Sequence, residues 1–450
     1  MSTSSVNMNS ATSGSGIDVD SIVSAMIDAE RAPERIWQSQ QYLLQTQAAA
    51  LSDIQTKLGG LDSAVTDLRD VLGVFSENTA TSSDDGVLTA SADSTAVAAS
   101  HSIKVTSLAS NAAYYSNALA SSTTTIASGT FIITAGAAQK TVAIDSTNNT
   151  LDKLAKYING LGLDVNATVI TDANGARLSL AGTKTGKSND VQLSGINGFV
   201  FTTASTADNA KLTVDGIPIE SSTNSVAGVI AGVTLQITNT SPSTAITVTV
   251  NPDRERVNRA VQNFVNSFNS LISAVNSQFK YDSTNKRSGV LAGDSTIRTL
   301  QEQLLSSIGY SSSKTDAIAS LSSIGVTMEN DGTLKFDSDK LTALLQSNYA
   351  GVKTFFQGTG DGTNGFANSI GKLLDQLTDS TTGAIVVDLK GNTDAQKSIS
   401  DQIDDFEVRI ADRRQQLLNE YSKVDAILRQ FPLTQNQVTA QLNSLSNLQK

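Results

Sequence analysis

Apolar residues recur along this chain with two different periods, and the change of period divides it. Leu44, Leu51, Leu58, Val65 and Leu72 fall seven apart, as do Ile54, Leu61, Leu68 and Phe75, with Gln47 in the same register one heptad earlier. The two series interleave at three and four, which is coiled-coil spacing, and predict one long helix from about Glu34 to Phe75. Near the other end Ile399, Ile403, Phe406, Ile410, Leu417, Val424 and Ile427 fit one such frame, with Arg413 and Glu420 at two of its seam positions. They predict helices from about Thr393 to Gln430 and from Thr434 to Leu448, broken at Pro432, because proline has no amide for the helical ladder. Before the first long helix, Ile17, Val19, Ile22, Val23, Met26 and Ile27 cluster on a short amphipathic helix that Asp18 or Asp20 caps. Pro33 ends it at Ala32.

Between the helical ends the pattern alternates. Val97, Ala99, His101, Ile103 and Val105 share one face of a strand. Phe131 and Ile133 pair with Val142 and Ile144, and Leu151, Leu154, Ala155 and Ile158 form a short helix. An Asp172–Gly175 turn joins Ala167 and Val169 to Leu178 and Leu180, and Asp215–Gly216 is a hairpin signal. Pro218 places the second strand of that hairpin at a sheet edge. Val233, Leu235, Ile237, Ile246, Val248 and Val250 complete the β-rich part. Helix returns after Pro252, and a further hairpin turns through Asn330, Asp331 and Gly332.

The expected fold is therefore α+β, with a helical coiled-coil stalk built from both chain ends and one or two β-rich head domains inserted between them. The expected boundaries are a terminal segment over 1–33, poorly ordered alone; a stalk helix over 34–80; a β-rich head over 81–252 with an inner domain at about 125–205; stalk helices with a small hairpin over 253–392; and C-terminal coiled-coil helices over 393–450. The stalk seam is assigned to Leu44, Leu51, Ile54, Leu58, Leu61, Val65, Leu68, Leu72, Ile403, Phe406, Ile410, Leu417 and Val424. The same spacing also suits a plain intrachain helical hairpin whose outer faces make the assembly contacts.

Composition narrows the function. Charged residues are only 17% of the 450, and the net charge is −11, which argues against a nucleic-acid binder with its basic stripe. There is no cysteine, so thiolate catalysis and cysteine metal sites are excluded. Residues 1–15 carry neither positive charge nor an apolar core, unlike a secretory signal peptide, and no stretch reaches the ~20 apolar residues of a membrane span.

Candidate chemistry is thin. Ala181–Ser188 reads AGTKTGKS, close to a phosphate-binding loop, but Ala181 stands where the first glycine belongs and the residues after it look extended. His101 is the single histidine, and its apolar strand face predicts a packed structural side chain in preference to a triad or metal ligand. The Asp-rich turns at 84–86, 330–332 and 361–362 lack the distal glutamate of a calcium loop. No catalytic residue, cofactor or metal ligand is assigned.

Ser15–Pro33, SGIDVDSIVSAMIDAERAP, resembles the N-terminal signature of the flagellar filament cap proteins, the hook-associated protein 2 family. VDGIPIESSTNSVAGVIAGVTL, within 207–234, is similar to the family's central segment. Asp253–Leu271, LAGDSTIRTL at 291–300 and LSSIGVTMENDGTLKFDSDKL at 321–341 resemble its C-terminal part, in the family's order. Phe131–Val169 is similar to a short repeat of flagellin-related proteins, whereas Phe431–Lys450 matches the family only in its heptad character.

The resemblance implies a protein exported through the flagellar type III channel without a cleaved signal. It implies a ring-shaped homo-oligomer at the filament tip, with heads as a plate and stalks as legs, under which flagellin folds and inserts. The implied partners are other copies of the chain, flagellin, the hook–filament junction proteins and a cytoplasmic export chaperone on the C-terminal region, with no nucleic acid and no membrane insertion. Ile17, Val19, Ile22 and Met26, with the terminal heptads, are the expected filament contacts. A surface adhesin with a β head on a helical stalk, and a hook–filament junction component, are the competing readings.

Overall fold

The computed structural model describes residues 18–195, 200–283, 287–312, 318–359 and 364–447. Its helices are α1 (Val19–Glu30), α2 (Ala32–Arg69), α3 (Leu151–Asn159), α4 (Arg254–Phe279), α5 (Ser295–Ile308), α6 (Ser338–Ser347), α7 (Tyr349–Gln357), α8 (Phe366–Leu377) and α9 (Ala384–Asn447). The chain divides into two compact units, one made of 1–69, 261–344 and 348–450, the other of 70–260 and 345–347. Both helical ends thus enter one unit, and the β-rich residues are inserted between them.

In the helical unit α2 packs along α8 and α9, and α1 packs on α9. Leu51, Ile54, Leu58, Leu61, Val65 and Leu68 are buried along α2, while Leu44 is only half-buried. A stripe of large apolar side chains at this spacing leaves water most cheaply against other helices. Phe264, Phe268, Phe355, Phe356 and Phe366 close the rest of this core, with Phe355 and Phe366 stacked at 5.8 Å.

The helix boundaries correct three expectations. Pro33 does not end α1 at Ala32; it sits in the first turn of α2, where its missing amide would be unpaired in any case. Leu72 is not a seam residue: α2 stops at Arg69, the Asp70 carboxylate takes the Leu72 amide at 2.9 Å, and Leu72 is 77% exposed. A short side chain that captures a nearby backbone amide offers the chain a turn in place of a further helical turn. Third, α9 runs unbroken through Pro432. The carbonyl of Leu428, whose helical partner would be the absent Pro432 amide, lies on an exposed part of the helix, where water can take its place.

The β unit holds two cores. Its strands are β1 (Asn78–Ser82), β2 (Leu88–Ala92), β3 (Ala99–Ser107), β4 (Ala113–Ser116), β5 (Gly129–Ala135), β6 (Ala138–Ile144), β7 (Val165–Asp172), β8 (Gly175–Gly182), β9 (Val191–Ser194), β10 (Phe201–Ser205), β11 (Ala210–Val214), β12 (Ile217–Ser221), β13 (Ser225–Ile230), β14 (Val233–Ile237) and β15 (Ser241–Pro252). Among the described residues β1-β15-β3-β11-β12 form one sheet and β13-β14-β2 another, enclosing Leu88, Ile103, Val105, Leu212, Leu235 and Val248. The inner core lies between β10-β4-β8-β7 and β6-β5-β9 with α3 against them, and it draws on residues from Ala112 to Ala207. Val97 precedes β3 and is exposed, so the alternating face of that strand buries only Ile103 and Val105 fully. The hairpin through Asp215 and Gly216 forms with φ of 50° and 83°, as a tight turn with two left-handed positions requires, and β12 is an edge strand. In the helical unit β16 (Tyr281–Asp282) pairs with β17 (Arg287–Ser288) and β18 (Val326–Met328) with β19 (Leu334–Phe336).

Candidate assembly surface

The site with most claim to function is the line where α1 and α2 run against α9. Asp18 caps α1, its Oδ1 accepting the Ser21 amide at 3.1 Å, and this sets the face that follows. Val23 and Ile27 are buried against Ile410 and Leu417 of α9, with Val19, Met26, Phe406, Leu418 and Tyr421 packed around them. Val19 and Met26 are thus drawn into an intrachain contact, and Ile22 is half-buried beside it. Ile17 lies outside the described residues. Ile403 is half-buried.

Ion pairs fix the register. Arg31 donates from Nη1 to Glu407 Oε1 at 2.5 Å and from Nη2 to Glu407 Oε2 at 2.8 Å, and Nη1 also reaches Glu34 Oε2 at 2.6 Å. Arg413 Nε donates to Glu30 at 3.3 Å, and Trp37 stands edge-on to Phe406 at 5.4 Å. At the far end of α2, Arg69 makes a two-pronged contact with Asp375 of α8 at 2.8 and 3.0 Å. Position 30 faces 413, 37 faces 406 and 69 faces 375, so α1 and α2 both run antiparallel to the α8–α9 side. The Arg31 guanidinium holds the Glu407 carboxyl below its ordinary range, and the paired carboxylate raises Arg31 in turn. Arg69 likewise lowers Asp375, whereas burial pushes the Asp62 carboxyl up against the opposing pull of Arg69. Asp62 Oδ1 is buried without a hydrogen-bond partner. These pairs escaped the reading of the sequence, since a charge on a polar helix face does not announce a partner more than three hundred residues away.

Beyond Tyr421 the seam is bare. Val424 is not covered, and Ile427, Leu428, Phe431, Leu433, Val438 and Leu442 are likewise exposed on α9. The expected seam position at Val424 is corrected accordingly: α1 begins at Val19, opposite Tyr421, and no described element continues past it.

The chemistry weighed in the sequence resolves into structure. In the AGTKTGKS loop the Gly186 amide donates to the Ser110 carbonyl and the Lys187 amide to Asn209 Oδ1, so the amides a phosphate would need are engaged. Only a three-residue 3-10 turn, Lys187–Asn189, follows, too short to present a helix terminus to an anion. His101 Nδ1 lies 2.7 Å from Asp215 Oδ2, and Asp215 Oδ1 accepts the Ser102 amide at 2.8 Å. Those two contacts hold the Asp215 carboxyl below its ordinary range and tie the β11–β12 turn to β3. Among the described residues no group of three His, Asp or Glu side chains gathers as a metal would need, and no helix is long and apolar enough to cross a membrane.

Comparison with known proteins gives a consistent answer. Family models described as flagellar hook-associated protein 2 N-terminus and C-terminus match residues 15–112 and 207–432. The B-type flagellar hook-associated protein 2 of Pseudomonas aeruginosa is 30% identical over 89% of this chain and 90% of its own length. The flagellar hook-associated protein 2 of Escherichia coli K12 is 28% identical over 96% of this chain and 98% of its own. The crystal structure of the flagellar cap protein FliD D1-D2-D3 domains from Escherichia coli superposes with a TM-score of 0.58 at 29% identity, covering 76% of this chain and 99% of that one.

Proposed function

The chain belongs to the flagellar hook-associated protein 2 family, and from that premise we propose that its helical unit grips the growing end of the filament while exported flagellin folds and inserts. The protein is a structural cap: it is exported and resides at the tip of the bacterial flagellar filament. The observation that supports the gripping role is the pairing of both chain ends in one helical unit, tied by the Arg31, Arg413 and Arg69 contacts, with apolar α9 left bare beyond it.

In this reading several copies close into a ring, and Ile17, Val19, Ile22 and Met26 contribute to filament contact through the α1 end. The hook–filament junction proteins are its first seat, and a cytoplasmic chaperone covers the C-terminal region before export. Contacts that order a helix as they form are weak one by one, because the ordering entropy lowers the net affinity, which suits a cap that must release and rebind as each subunit is added.

The test is a strain lacking the gene, examined by electron microscopy for filament length and assayed for flagellin in the medium. Absent filaments with abundant monomeric flagellin outside the cell, restored by the gene, are expected. Normal filaments with lost adhesion would overturn the reading in favour of an adhesin.

A further inference from the structure

The sheets of the β unit end in edge strands, and most of these carry a feature that spoils pairing with a further strand. β12 has Pro218, β10 slips register between Thr203 and Ser205, β13 does so between Ala227 and Ile230, β6 carries Lys140, and β9 has only four residues. Proline, bulges, lysine and brevity all protect an exposed edge. β7 has none of them. It ends the order β10-β4-β8-β7 with eight residues, VNATVITD, in unbroken register against β8 from Val165–Gly182 to Asp172–Gly175. Ile170, 57% exposed, stands on it.

What lies along the β7 edge is a side chain. Asn159, the last residue of α3, accepts the Ala167 amide on Oδ1 at 2.7 Å and donates from Nδ2 to the Ala167 carbonyl at 2.9 Å. In an antiparallel ladder a residue turns both backbone groups to one neighbouring strand or to the other. Ala167 lies opposite Leu180 of β8 but gives both groups to Asn159, so they point to the free edge. A carboxamide carries an acceptor and a donor side by side, and here it takes the place that a residue of a further strand would fill. By the same alternation the Val165 amide faces outward, and it donates to the Leu163 carbonyl at 2.7 Å. Between Ala167 and the turn at Asp172 the outward positions left are Val169 and Thr171, too short a run to hold a strand. The same clamp recurs at Asn269, which holds the amide and carbonyl of Leu334 in β19 at 2.6 and 2.7 Å, and at Asn224, which holds those of Ala109 at 2.8 and 3.0 Å.

We propose that Asn159 closes the β7 edge and so keeps a second copy of this chain from adding its own β7 there. The clamp contributes little to the fold itself, because Asn159 is exposed and water can serve the Ala167 groups in its absence. Its effect falls on association. The species it prevents is a two-fold pair of sheets, β7 against β7, in which each strand supplies the neighbour the other lacks. Such a pair is distinct from the contacts that close several copies into a ring.

The test uses the full chain. Asn159→Ala removes both hydrogen bonds and, the side chain being exposed, empties no core space. Its self-association, followed by sedimentation velocity over a range of concentrations, should be at least roughly tenfold tighter than that of the unaltered chain, since two or more backbone hydrogen bonds become available across the pair. Amide exchange over 165–171 should slow as concentration rises. Adding Thr171→Pro deletes an outward amide without touching the ladder to β8, and it should return association to the unaltered level. An Asn159→Ala chain that keeps its circular dichroism and associates no more than the unaltered chain overturns the proposal. Association that persists in the double variant overturns it too, because sticking through exposed core does not need the Thr171 amide. Loss of circular dichroism in Asn159→Ala would make Asn159 a residue of the fold and overturn it equally.

Discussion

Leu58 and Leu72 occupy the same position of one heptad series, two heptads apart, yet the structure assigns them opposite energetic roles. Leu58 is 0% exposed within α2. Truncation to alanine removes its buried methyl groups and leaves a cavity that close-packed neighbours fill only in part, at a cost of about 3 to 4 kcal/mol. Leu72 lies beyond the end of α2 with its side chain in water, and Leu72→Ala should change stability by less than about 0.5 kcal/mol. Trp37, the single tryptophan, sits in the same unit as Leu58, against Phe406, so its fluorescence reports this unit without interference from the β unit. For a urea slope of roughly 3 kcal/mol/M, Leu58→Ala should lower the fluorescence midpoint by about 1 M, and Leu72→Ala by less than about 0.2 M. Equal shifts for the two variants would refute the boundary at Arg69 and restore the seam through Phe75.

Two further predictions concern strain and charge. Asp62 has its carboxyl raised mainly by burial, and a group whose pKa is raised on folding imposes a penalty that is absent at low pH and grows as pH rises through the folded value. Asp62→Asn should therefore raise the Trp37 urea midpoint at pH 7 and lose that advantage near pH 4, whereas Asp375, lowered by Arg69, contributes stability that is lost as pH falls below its unfolded value of about 4; a midpoint lowered at pH 7 by Asp62→Asn would count against the orphaned carboxylate. Gly186 has φ of +94°, and a Cβ there would lie 2.6 Å from Ser222 Cβ, while Gly216 has φ of +83° and open space. Gly186→Ala should cost more than about 2 kcal/mol in thermal unfolding of the β unit and Gly216→Ala about 1 kcal/mol; equal costs would mean that the turn at Ser222, between β12 and β13, yields freely.

What the sequence made legible was periodic or local. The α2 stripe from Leu51 to Leu68, the Asp18 cap, the turns at 172–175, 215–216 and 330–332, and the edge position of Pro218 each follow from rules acting over a few residues. The failures share one cause, a local pattern overridden by a contact or by its absence. The heptads continue to Leu72 in sequence, but Asp70 captures the Leu72 amide and ends the helix. Val424 keeps the seam spacing but has no α1 opposite it. Long-range ion pairs such as Arg31–Glu407 and Arg69–Asp375 were invisible because the helix surface offers many charges and no spacing rule says which will meet.

The same contrast explains why the two ends of the seam suit different tasks. Along α2 the stripe is buried within the chain, and the Arg31 and Arg69 forks lock its register at either end. That part is packed within the chain before any partner arrives. Past Tyr421 the helix has an equally regular apolar face and no cover, and it carries Pro432, a residue that costs an isolated helix about 3 kcal/mol. An uncovered helix with an internal proline has little intrinsic reason to stay helical, so its order must be drawn from association. Contact at this end therefore carries an ordering cost that weakens it, while the α1–α2–α9 contact carries none. In the gripping role proposed above, one fixed and one conditional contact let the cap hold its fold while its tail lets go, as advance along a lengthening filament requires.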